Sequence, residues 1–240
     1  MDLPLTKVEG LGKDPKLLII AGFHKSGKTT ALAALEDNLI VDLEGGCDYL
    51  SAMKVRVDNL REYSDLIRSL QASEHKYRFI SIDTGTKLED IAIELAVINH
   101  QRTPIGKRWT GQPRDILLLA NGLGYGLLRN AYLDLIGWIK PFCRTLILSC
   151  HIKNSSMQLN GEEIAMIDIN LTGQLKSIMA ARADAVGMFY RKRNQSILSF
   201  RGGESFLVEA RPAHLRGKEF VVIESDDADN LTIDWSKIFS

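Results

Sequence analysis

The residues most able to do chemistry stand together in one stretch, "GFHKSGKTT", Gly22 to Thr30. Gly22, four residues, then Gly27-Lys28-Thr29 fit the pattern G-x-x-x-x-G-K-[ST]. Glycines at both ends let the backbone curl so that successive N–H groups face one anion. A helix opening near Lys28 aims its positive end at the same point. The whole loop (Gly22, Phe23, His24, Lys25, Ser26, Gly27, Lys28, Thr29 and Thr30) is therefore expected to cradle a nucleoside triphosphate. Lys28 would reach the β- and γ-phosphates, and the Thr29 hydroxyl would ligate Mg²⁺. Lys25 is an extra cation: it touches the γ-phosphate or a neighbouring subunit's nucleotide, or it is simply solvated.

Such a loop needs an acid at the end of another strand to hold the metal. "YRFISIDTGT" supplies Asp83 at the end of an apolar run, followed by small polar residues. No acid follows Asp83 directly, so a hydrolytic base must come from elsewhere. "NLIVDLEGGCDYL" offers Glu44. Period-two alternation puts Asp42 and Glu44 on one side, and Gly45-Gly46 turn the chain away at the sheet's carboxyl edge. A carboxylate there would orient and deprotonate an attacking water. A third run, "RTLILSC", ends in His151, either a γ-phosphate sensor or a structural histidine.

These residues must be carried by elements that bring them to one edge. The short Ile-, Leu- and Val-rich runs at 16–21, 38–43, 78–83, 144–150 and 183–190 read as buried parallel strands. Helical patterns at 29–36, 57–72, 87–100 and 128–140 lie between them. Strand and helix alternating imply right-handed crossovers and a mainly parallel sheet flanked by helices, an α/β fold. After about residue 185 the texture changes to short strands with polar turns, expected as an antiparallel extension of the same sheet. Nothing marks a domain boundary, so residues 1–240 are expected to form one domain, with 1–15 as an N-terminal arm.

Bulk properties narrow the partners. Lys+Arg and Asp+Glu both number 30, so no global field draws the chain to nucleic acid or membrane, and any such contact needs a local patch. Cys47, Cys143 and Cys150 show no metal-like spacing and suit free thiols in a reducing compartment. The first residues carry no apolar signal region, and no run is long enough for a membrane span. A cytoplasmic protein without membrane partners is expected.

Taken in order, the phosphate loop, an acid ending the second strand, a metal aspartate ending the third and a polar residue ending the fourth resemble the RecA-like P-loop ATPases. More narrowly, "VDLEGG", "ISIDTGTKLEDI", "GYGLLRNAYLDLI", "LILSCHIK" and "SFLVEARPAHLRGKEF…WSKIF" resemble the phage-borne RecA-like proteins of the Sak single-strand annealing group, often labelled phage AAA-type ATPases. The resemblance runs from about Leu17 to Phe239. It implies that residues 22–30 hold ATP, that Thr29 and Asp83 serve Mg²⁺, and that Glu44 is the base. His151 stands where these proteins commonly carry a glutamine. The family's trans-acting cation has candidates in Arg211, Arg216 and Lys218, Arg211 first, with surface arginines on an edge strand as the other reading.

The resemblance also implies two DNA-facing loops, at 99–126 and 152–172. The first carries Arg102, Lys107, Arg108 and Arg114 around Trp109, which is either a base-stacking platform or a ring packed back on the body. The second carries Lys153, but Asn160-Gly161 between two alternating runs signals a β-hairpin rather than a glycine-rich loop, and Glu162 and Glu163 would repel phosphate. The function implied is an ATP-dependent, homo-oligomeric, ring- or filament-forming protein. It would bind single-stranded DNA non-specifically and promote annealing or recombination, with a single-strand-binding protein as a candidate partner and a bacterial host cytoplasm as its setting if phage-encoded. The alternative is a nucleotide-dependent regulatory or scaffolding module without DNA. A small-molecule kinase, with 102–114 as a lid, comes third.

Overall fold

A computed structural model describes residues 6, 7, 10, 12–159, 162–202, 208–226, 228 and 230–239. Along the chain run β1 (Leu17–Ala21), α1 (Lys28–Ala33), β2 (Asn38–Asp42), β3 (Lys54–Arg56) and α2 (Leu60–Ala72). Then come β4 (Tyr77–Asp83), α3 (Gly85–Gln101), α4 (Leu123–Ile139) and β5 (Cys143–Cys150). A hairpin of β6 (Ile152–Leu159) and β7 (Glu162–Ile169) is followed by α5 (Leu175–Arg182) and β8 (Ala185–Lys192). The last described strands are β9 (Gln195–Ser199), β10 (Glu209–Ala210), β11 (Glu219–Ser225) and β12 (Leu231–Ile233).

The main sheet has the order β12-β11-β9-β8-β1-β5-β4-β2-β3, with β10 added beside β8. From β8 to β3 every neighbour is parallel, while β9, β10, β11 and β12 join antiparallel, as the change of texture after residue 185 implies. Helices cover both faces, which is why β1 and β2 are buried at every position and carry apolar runs rather than alternating ones. Alternate residues of β1 feed two cores. Leu17, Ile19 and Ala21 pack with α2, α3 and α4, and Leu18 and Ile20 pack with α1 and the C-terminal Trp235, Ile238 and Phe239.

Several boundaries depart from the sequence reading. The first helix stops at Ala33 instead of Glu36. The buried Asn38 side chain donates to the Leu32 carbonyl at 2.8 Å, and Asp37 takes a left-handed φ of 53°, so the chain turns early into β2. The second helix opens at Leu60, not residue 57, because the Asn59 side chain caps the Glu62 N–H at 3.0 Å. The 128–140 pattern extends back to Leu123 behind Gly122, whose φ is 71°. β3, α5 and the short 3₁₀ turns at Pro113–Leu118 and Ala120–Gly122 had no counterpart in the pattern. The hairpin arms pair in continuous antiparallel register from Ile152↔Ile169 to Leu159↔Glu162, and the expected Asn160-Gly161 turn lies outside the described residues.

Candidate active site

Parallel register brings the carboxyl ends of four strands to one edge: Ala21 faces Cys150, Ser149 faces Asp83, and Asp83 faces Asp42. The phosphate loop leaves β1 at this edge. Gly22 has no substitute there, since an added Cβ would lie 2.3 Å from the Phe189 carbonyl oxygen of β8. Gly27, with φ 97°, caps α1 in a left-handed conformation that side chains disfavour. The antiparallel extension supports the loop from behind. Ser196 Oγ donates to the Ser26 carbonyl at 3.3 Å, and the Trp235 indole donates to the Ala31 carbonyl of α1 at 2.8 Å.

Lys28 is buried, and its ammonium donates to the carbonyls of Gly22 (3.0 Å) and Phe23 (2.8 Å). Burial lowers its pKa from the ordinary lysine value. Thr29 Oγ1 donates to Asp83 Oδ2 at 2.6 Å. Burial raises the Asp83 carboxyl, opposed by that hydroxyl. The other oxygen, Asp83 Oδ1, is buried and meets no hydrogen-bond geometry among the described residues, although the nearby Ser149 hydroxyl favours the charged form; a hydrated cation would satisfy it. Gly46 keeps space beside the pair, because a Cβ there would stand 3.5 Å from Thr29 Oγ1 and 3.7 Å from Asp83 Oδ2. A hydroxyl and a carboxylate with a spare lone pair are hard oxygen donors suited to Mg²⁺.

The Asp83 side chain carries a measurable consequence. Its raised pKa means the charged form destabilises the nucleotide-free fold: the penalty begins above the ordinary carboxylate pKa and is complete once pH exceeds the raised value. Asp83→Asn should therefore raise the melting temperature of the nucleotide-free protein near pH 7, by roughly 2–4 °C per kcal/mol relieved, with the gain fading toward pH 4. The same variant should lose any magnesium-dependent stabilisation by nucleotide. A lower melting temperature at neutral pH would show that the carboxylate's attraction to Lys28 outweighs its burial.

β2 stops at Asp42, so Glu44 lies beyond the strand, in the bend that follows. The buried Asp42 carboxylate turns into the following bend, accepting the N–H groups of Glu44 (3.1 Å), Gly45 (2.7 Å) and Gly46 (3.2 Å) on Oδ1 and of Cys47 (3.1 Å) on Oδ2. Glu44 is thereby aimed across the edge. Its Oε1 accepts from Thr84 Oγ1 at 2.8 Å, and both oxygens lie 3.1–3.2 Å from His151 Nε2. The His151 hydrogen bond holds the Glu44 carboxyl below its usual value. His151 is also fixed through its backbone N–H, which donates to Thr86 Oγ1 at 3.0 Å. His24, on the loop, stacks on the His151 ring at 3.6 Å. Gly22, His24, Lys28, Thr29, Glu44, Asp83 and His151 thus converge. Phe23, His24 and Lys25 are exposed at the loop apex, and Thr30 is the third residue of α1.

Asp42, Gly46, Thr84 and Thr86 belong to this arrangement and were not singled out for it. An aspartate ahead of two glycines is a turn signal that could have identified Asp42. The threonines' partners lie on other strands, so no local pattern reports them.

Other candidates lie apart. Arg211 pairs with Asp184 (3.3 Å) and donates to the Ala181 carbonyl (2.7 Å). Asp184 in turn receives the N–H groups of Lys16 and Leu17 at the start of β1, so Arg211 sits at the opposite end of the sheet from its own chain's loop. Arg102, Lys107 and Arg108 are exposed, and no ion-pair partner for them occurs among the described residues. Trp109 instead packs half-buried against the core and edge-on to His100, the packed-back alternative rather than a free platform. Arg114 is paired with Asp90, and Lys153 Nζ donates to the Leu171 carbonyl at 3.3 Å. The cysteines are free, and burial pushes each thiol up to about 12. Among the described residues no helix is long and apolar enough to cross a membrane.

Comparison with known proteins bears on the same segments. No curated protein matches the sequence. Among solved structures, "Crystal structure of the RadB recombinase" is similar over 91% of each chain, at 13% identity and a TM-score of 0.48. The model of a family described as an AAA domain matches residues 14–211, which include the phosphate loop, Glu44, Asp83 and His151. That match covers well over half of the sequence, and the chain belongs to this AAA domain family.

Proposed function

We propose that this protein is an ATP hydrolase using Mg²⁺. One observation carries the reading: the carboxylate of Glu44, carried on the bend that Asp42 pins, is held by Thr84 and His151 at the edge where the phosphate loop and the Thr29–Asp83 pair meet. In this role Lys28 and the loop N–H groups bind the triphosphate. Thr29 and Asp83 hold the metal, and Glu44 orients a water and takes its proton. A bound magnesium–nucleotide complex supplies the electrophilic phosphorus and neutralises charge on its oxygens.

The finer reading is an oligomer that couples ATP to non-specific single-stranded DNA binding in annealing or recombination. Arg102, Lys107 and Arg108, exposed and without an ion-pair partner among the described residues, support it, since clustered cations attract a phosphate backbone. Arg211, far from its own chain's loop, is free to act on a neighbour's nucleotide once Asp184 releases it. The packing of Trp109 and the pairing of Arg114 favour a second reading, a nucleotide-dependent regulatory or scaffolding module without DNA.

ATP turnover and oligonucleotide affinity, each measured with the other ligand present and absent, separate the two. Charge reversal of Arg102 and Arg108 together is expected to weaken strand binding by at least about tenfold and flatten its salt dependence, leaving DNA-free hydrolysis in place. Strand affinity that ignores both substitutions, or turnover indifferent to DNA, favours the module.

A further inference from the structure

His151 is the residue that touches both oxygens of Glu44, yet its own orientation is under-determined. Histidine rings that act through one nitrogen are usually aimed by a hydrogen bond on the other. Here Nδ1 is buried with no partner among the described residues, and the residue is only 6% exposed. The backbone bond to Thr86 fixes the main chain, and the ring's one hydrogen-bonded nitrogen, Nε2, is spent on Glu44 itself. What covers the ring is His24, centroid to centroid 3.6 Å and 23° from parallel. Desolvation against its neighbours lowers the His24 pKa, His151 lowers it further and Glu44 opposes the shift.

We propose that His24 is a positioning residue: its stacked ring fixes the imidazole that aims Glu44, so the phosphate loop itself sets the placement of the base. His24 rides between Gly22 and Gly27, so any rearrangement of the loop around a triphosphate is passed to His151 and on to the carboxylate. This inference rests on Glu44 being the hydrolytic base.

Steady-state ATP hydrolysis by His24→Ala, His24→Phe, Glu44→Gln and the His24→Ala/Glu44→Gln double variant tests it. Misplacing a reacting group by about 1 Å costs up to about a hundredfold in rate. His24→Ala is expected to lower kcat by about tenfold with a smaller change in KM. His24→Phe, which keeps a flat ring but no ring nitrogen, should recover most of the loss. In the Glu44→Gln background the alanine substitution should add little, since both act on one group. A raised KM in both His24 variants at unchanged kcat would make the residue a phosphate contact and overturn the proposal. So would a full additional loss in the double variant. Wild-type turnover in Glu44→Gln alone identifies a different failure, that of the base itself.

Discussion

Lys28→Ala is expected to weaken ATP binding by at least about a hundredfold. The ammonium is the buried cation of the loop, held by the Gly22 and Phe23 carbonyls, and in the proposed role it would meet the phosphates placed over the curled backbone. A hydrogen bond to a charged group contributes about 1.5–3 kcal/mol, and in the proposed role two phosphate oxygens would lose their partner at once. Every 1.4 kcal/mol is about tenfold in affinity, which sets the size of the loss. Burial lowers the Lys28 pKa, and the nearby Asp83 carboxylate opposes that shift. Titration calorimetry with a non-hydrolysable analogue gives the affinity directly. A parallel thermal melt guards against simple unfolding: wild type should gain stability with nucleotide by mass action, and the variant should melt normally without that gain. A dissociation constant within about threefold of wild type would remove Lys28 from the binding site.

Glu44→Gln should leave that binding in place while lowering turnover by at least about a hundredfold, the lower range of what a positioned base contributes. Glutamine preserves the shape and the acceptor oxygen that receives Thr84, so the Asp42-pinned bend has no reason to move. It cannot take a proton. The His151 hydrogen bond keeps Glu44 ionised down to below the usual glutamate range, so the rate should stay on its plateau through mildly acidic pH and fall only as the carboxylate protonates. The pairing contributes stability that is present above the ordinary pKa and lost as pH drops through the lowered one. The side chain is 35% exposed, so solvent screening keeps that contribution small. Equal turnover in wild type and variant would leave the water without Glu44 and direct attention to another carboxylate at the edge.

The two substitutions act on opposite sides of the same reaction. Loss of binding with Lys28→Ala, and loss of rate with binding retained in Glu44→Gln, is the pattern a hydrolase produces. A protein that only senses nucleotide would respond to the first and be indifferent to the second in every readout except exchange of the bound state.

Much of this was legible along the chain because it is written in local signals. The loop pattern, its strand before and helix behind, needs only consecutive residues. The apolar runs at 16–21, 38–43, 78–83 and 144–150 report strands buried on both faces, and the Asn-Gly turn signal between alternating runs reports a hairpin whose arms do pair. Even the acids at the strand ends could be marked, since carboxyl ends of parallel strands share one edge. What local signals cannot carry is lateral order. Glu44 and His151 are 107 residues apart and meet only because β5 and β4 lie between β1 and β2. The same holds for Thr84 beneath Glu44, for Phe189 against Gly22 and for Trp235 on α1. Turn chemistry and packing decided the rest: Asp42 was consumed by four N–H groups of its own bend, and Trp109 was drawn to the apolar body rather than left among its cations. Periodicity and turn residues are properties of neighbours in sequence, whereas a side chain's partner is settled by which strands stand side by side.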